Sequence, residues 1–160
     1  MKLLRSDKRG FAFHLGKREK IILLETLQLY PLIPASHHRL TRNGDSPADD
    51  ERQCLLEEAL AEHRRDNRRQ LQAMLNEPHR FQETESGFQL TLSAPQIEWL
   101  LQVLNDIRVG SWLALGEPEP GEEPEPNKNN AHCLLALEVC GLFESGLLAA
   151  LGVRQSPRWH

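Results

Sequence analysis

Two short stretches of the chain alternate between apolar and other side chains with a period of two. In the first, Phe11, Phe13 and Leu15 fall on one side and Ala12 and His14 on the other. In the second, Phe88, Leu90 and Leu92 oppose Gln89 and Thr91. That period belongs to a strand with one buried face. Each stretch runs into helix-start chemistry. Gly16 can act as an N-cap with Glu19 at the third helical position, and Ser93-Ala94-Pro95-Gln96 is a capping box whose proline is tolerated in the first turn. The spacing then predicts a helix from Lys17 to about Tyr30, stopped by Pro31 and Pro34. It predicts another from the capping box to about Leu115, with Trp99, Leu100, Val103, Leu104 and Ile107 inward.

The two stretches align at one constant offset. Gly10 falls on Gly87, Phe11 on Phe88, Phe13 on Leu90 and Leu15 on Leu92. Along the helices Ile22 falls on Trp99, Leu23 on Leu100, Leu24 on Leu101 and Leu27 on Leu104. This predicts two related units about a pseudo-twofold axis, with their strands paired antiparallel and covered by helices, because a lone hairpin is marginal in water. The expected fold is mainly α: a four-helix core with a small antiparallel β element from a repeated strand–turn–helix unit, in a single domain over residues 1–160.

Between the units, residues 34–46 read as loop. Ser46-Pro47-Ala48-Asp49 opens a long helix over 47–76, with a cap, a proline at the first position and acids at the positive end of the dipole. Its middle, 62–70, is nearly all polar, which predicts a bend or a solvent-exposed stretch. Arg80-Phe81-Gln82 can form a short strand, and Ser86-Gly87 marks a turn. Residues 117–130 are acidic, rich in proline and lack apolar side chains. They read as an extended or disordered loop. The last helix, about 131–151, is apolar nearly all round, the pattern of a central buried helix. Gly152 should end it, leaving 153–160 as a loose tail.

Bulk properties narrow the function classes. The 160 residues are 39% hydrophobic and 26% charged, with a net charge of −4, so no global footprint for nucleic acid exists. Cys54, Cys133 and Cys140 form no CxxC pair. Cys133 and Cys140 sit two helical turns apart, roughly 10 Å along the axis, beyond the ~7 Å between α-carbons that a disulfide spans. The first eight residues are too polar for a signal peptide, and the apolar run Cys133–Val139 is broken by Glu138. A cytoplasmic location and no membrane association are expected.

Candidate chemistry is sparse. Asn105, Asp106 and Arg108 form the most pointed polar cluster. They could grip a partner's carboxylate or backbone, or tie their helix to a neighbour through buried hydrogen bonds, the favoured reading. Arg64, Arg65, Arg68 and Arg69 make a basic strip that could touch phosphate. Glu57, Glu58, Glu62 and Asp66 are close enough in sequence to pair with it, and no aromatic residue there could stack on a base, so a solvated face is preferred. None of the seven histidines shows ligand spacing, including the adjacent His37-His38. His132 beside Cys133 would need two side chains about 100° apart on a helix to converge. No GxSxG, Walker A or GxGxxG occurs. Catalytic residues, metal, cofactor and small-molecule ligand are therefore all expected to be absent, and an enzyme is not expected.

Trp99, then Leu104-Asn105-Asp106-Ile107-Arg108 and Leu115-Gly116, resembles the signature of an actinobacterial family of small proteins often encoded beside the Clp protease adaptor, the AosR-like family. Members share a strand near the start, an acidic insertion and a closing apolar helix with a Glu-Ser pair, here Glu144-Ser145. Trp112 and Ala114 depart from the glycine and basic residue usual there, and the cysteine spacing does not carry over a redox role. The resemblance implies a cytoplasmic regulatory or adaptor-like role. The expectation is a non-enzymatic protein that binds a protein partner or itself, with Trp99, Asn105, Asp106, Arg108 and the four arginines as binding candidates. A nucleic-acid-associated stress regulator and an uncharacterised enzyme stand as alternatives.

Overall fold

Phe11, Phe13, Leu15, Leu90 and Leu92 are all buried, and the two alternating stretches become the central strands of a four-stranded antiparallel sheet. The computed structural model describes residues 1–34 and 46–155, with side chains through residue 152. His37, His38, Trp159 and His160 lie outside the described residues. The elements run β1 (Lys2–Asp7), β2 (Gly10–Leu15), α1 (Lys17–Leu27), α2 (Pro47–Leu75), β3 (Phe81–Thr84), β4 (Gly87–Leu92), α3 (Ala94–Ala114) and α4 (Ala131–Gln155). The sheet order is β1-β2-β4-β3.

This overturns the mainly α expectation. The chain is a mixed α/β protein, and its β part is a sheet of two hairpins, not a small element built from a strand–turn–helix unit. The order along the chain is strand, strand, helix, helix, twice over. β1 escaped the sequence pattern because it is an edge strand with no fully buried side chain, and a register shift between Leu3 and Arg5 breaks its alternation. β3 begins at Phe81 and is likewise an edge.

At the centre, Phe11 pairs with Leu92, Phe13 with Leu90 and Leu15 with Phe88. Phe13 and Leu90, which the sequence offset aligns, face each other, so a local twofold axis passes between them. Gly10 and Gly87 stand at equivalent ends of the central pair. A Cβ on either would strike the carbonyl oxygen of Leu92 or of Leu15, which is why both hairpins enter on glycine.

One face of the sheet carries the core. Leu23 and Leu27 of α1, Ile97, Leu100, Val103, Leu104 and Ile107 of α3, and Cys140, Phe143 and Leu147 of α4 close over it. α1 starts on half a capping box: Glu19 Oε2 accepts from Gly16 N–H at 2.8 Å, and glycine has no side chain for the other half. It ends at Leu27, before the predicted Tyr30. α3 has the full box, Ser93 with Gln96.

α2 is an unbroken helix whose polar middle is exposed. Only Leu71 and Met74, near its C-terminus, are buried. The buried Arg80 clamps that end, donating from Nε to Met74 O at 3.1 Å and from a guanidinium NH2 group to Thr91 O at 2.6 Å, and pairing with Glu77.

α4 also departs from expectation. It continues past Gly152 to Gln155, and it is not buried all round: Leu135, Leu142 and Leu148 are 61%, 69% and 57% exposed. By length and composition residues 131–152 could cross a membrane, but the inner face of α4 is committed to α3 and the sheet.

Candidate functional site

The predicted polar cluster on α3 is pulled apart by its neighbours. Asp106 turns toward the segment after α1, where its Oδ1 accepts from Leu32 N–H at 2.7 Å and Ile33 N–H at 3.3 Å. One helical turn on, Gly110 leaves a notch that Leu32 fills; a Cβ there would lie within 2.8 Å of Leu32. From the other side Arg64 of α2 donates to Ile33 O. Asn67 reaches the Tyr30 hydroxyl at 3.3 Å. Asp106 and Arg64, which the sequence placed in separate candidate sites, thus meet on one turn and pin α2 to α3 through it.

Arg108 points the opposite way and bonds Glu144 Oε2 on α4 at 2.9 Å. Glu144 is 8% exposed, and its other oxygen, like the Ser111 hydroxyl, is buried with no hydrogen-bond partner among the described residues. Burial pushes the nearby Cys140 thiol up to about 12, with the Glu144 charge adding and Arg108 opposing. Asn105 is exposed, and Trp99 is half-buried against the core. The four α3 candidates therefore do not converge on one point.

The arginine strip remains on the surface. Arg69 pairs with Asp66 at 3.4 Å. Among the described residues Arg65 and Arg68 have no ion-pair partner, and with Arg64, Pro31 and Ala61 they line a hollow of about 280 Å³. A larger hollow, about 810 Å³, lies where residues 118–126 pass the ends of α3 and α4. Its walls carry Glu122, Glu123, Glu125 and Glu138 beside Leu115, Leu134 and Leu137, with Arg108 at one side. The Trp112 indole N–H donates to Pro118 O at 3.2 Å and anchors that segment.

Two histidine contacts were not expected. His132 Nε2 lies 3.3 Å from Cys133 Sγ, so the divergence argument fails in the first turn of α4, where the exposed ring folds back over its neighbour. His14 Nε2 lies 2.9 Å from Ser86 Oγ across the sheet edge. In neither pair does a described carboxylate hydrogen-bond the remaining ring nitrogen. No group of three or more His, Cys, Asp or Glu among the described residues is placed to hold a metal.

The sequence reading missed the outward leucines of α4. With Ile22 of α1 and the N-terminal Met1, Leu142 borders a shallow apolar cleft over Val139 and Phe143. A helix that is apolar all round has no periodic signal to say which side is left uncovered.

Fold and surface define a mixed α/β protein with a pinned polar interior and three outward features: an apolar α4 face, a basic strip and an acidic segment. No protein-family model, curated protein or solved structure matches the chain.

Proposed function

We propose that this is a non-enzymatic protein that works by binding other protein chains, in a regulatory or adaptor-like role. The observation that carries this reading is the outer face of α4. Leu135 and Leu142 are two turns apart on one side of the helix, and Ile22 of α1 extends that side through the cleft at Met1, whereas the exposed Leu148 lies about 120° further round. Scattered single apolar residues on a surface need no explanation, but large ones from two helices gathered on one side mark a contact surface. The polar candidates support the same reading from the other direction: Asp106, Arg108 and Arg64 spend their hydrogen bonds on joining elements.

The test compares the wild-type chain with Leu135→Glu/Leu142→Glu in quantitative partner capture from its native cytoplasm, with circular dichroism confirming equal folding. Loss of specific partners, or of self-association, in the variant supports the proposal. An identical interaction profile for both chains sinks it.

A further inference from the structure

We propose that the basic strip of α2 receives the acidic, proline-rich segment 117–126 of a second copy of this chain. The inference rests on the protein-binding reading above and names one partner for it. The strip places Arg64, Arg65, Arg68 and Arg69 within two helical turns, on a chain whose net charge is −4. The segment places Glu117, Glu119, Glu122, Glu123 and Glu125 within nine residues. None of those five carboxylates has an ion-pair partner among the described residues, and neither do Arg65 and Arg68. Each cluster repels itself, and each supplies what the other lacks.

The shapes agree with the charges. The hollow is lined by the apolar Pro31 and Ala61 together with Arg64, Arg65 and Arg68. Proline rings suit the apolar part of such a lining, and the flanking glutamates suit its arginines. In an extended chain Glu122 and Glu125, three residues apart, lie on one side about 9 Å from each other. Arginines one turn apart on a helix are about 6 Å apart, a difference their long side chains span. Pro118, Pro120, Pro124 and Pro126 fix much of the backbone in advance, so little freedom is lost on docking. Within one copy the segment lies against α3 and α4, while the strip stands by the turn after α1. Each copy has one strip and one segment, so a twofold pair makes the contact twice and closes on itself.

Sedimentation velocity on the full chain tests this. Dimerisation should weaken roughly tenfold or more between about 50 and about 500 mM salt, as exposed charge pairs are screened. Arg65→Glu/Arg68→Glu and, separately, Glu119→Lys/Glu122→Lys/Glu125→Lys should each be monomeric at low salt. Mixing the two variants should restore a heterodimer, since the lysine segment of one then faces the glutamate strip of the other. A wild-type chain that is monomeric at low salt overturns the proposal. So does dimerisation that survives both reversals, or a mixture that stays monomeric. Survival with loss in Leu135→Glu/Leu142→Glu would leave the α4 reading standing and remove only this one. A low-salt shift of duplex or single-stranded DNA that Arg65→Glu/Arg68→Glu abolishes, without self-association, would assign the strip to nucleic acid instead.

Discussion

Asp106 and Glu19 show how much of the fold hangs on single carboxylates. Asp106 accepts two backbone N–H groups, at Leu32 and Ile33, that have no strand or helix to bond them. Asp106→Ala should cost about 1–3 kcal/mol in urea unfolding, the range for stranding part-buried donors. Glu19 is subject to opposing influences. Burial raises its pKa, but the N-terminal ammonium and Gly16 N–H outweigh that and hold it below the usual value of 4.5. Because the folded value is the lower one, its contribution is present above the unfolded value and is lost as pH falls through the folded one. Wild-type stability should therefore fall in that acid range more steeply than that of Glu19→Gln, measured by thermal unfolding across pH. The cysteines give a third expectation. Burial keeps the Cys140 thiol protonated until about pH 12 and Cys133 is also buried, whereas Cys54 is exposed. Alkylation of the native protein near pH 8, read by mass spectrometry, should label Cys54 alone and reach the others only after unfolding.

At the scale of elements, α4 and α2 divide the work of the surface. Leu142 and Leu147 are chemically identical neighbours on α4, 69% and 1% exposed. Leu147→Ala should cost about 2–5 kcal/mol, whereas Leu142→Glu should change stability by less than about 0.5 kcal/mol while altering association. Denaturant titration of both variants separates the inner face from the outer. For α2, Leu71 and Met74 are its only buried residues, so its first two-thirds depend on local helix hydrogen bonds and on Arg64 and Asn67. Hydrogen exchange should be fast over residues 47–62 and slowest in β2 and β4.

For the whole molecule, the central pairing of β2 with β4 decides the arrangement. It places Phe13 against Leu90 and puts the two hairpins back to back about a local twofold axis. The halves are not used alike. α4 packs closely along α3, but α2 is held to its half mainly at one end and at the Leu32–Ile33 turn. The basic strip is therefore left in solvent on one half, and the apolar leucines and acidic segment on the other.

Much was legible in the sequence alone. The strand period at Phe11–Leu15 and Phe88–Leu92, the cap at Ser93 and the start of α2 at Ser46-Pro47 are local signals, set by backbone geometry within a few residues. Of the two edge strands, β3 was legible in part, at Phe81-Gln82, and β1 was not. A strand such as β1 acquires its identity from its partner, and Lys2-Leu3-Leu4-Arg5 carries too little periodic burial to declare itself. Nor could the sequence show that Asp106 would face α1's turn and Arg108 face Glu144, since those partners are distant in the chain. The apolar composition of α4 predicted a helix buried all round, and the helix is covered on one side only. Only tertiary packing decided which face stayed open, because a helix with no polar side gives no preference until a neighbour is chosen.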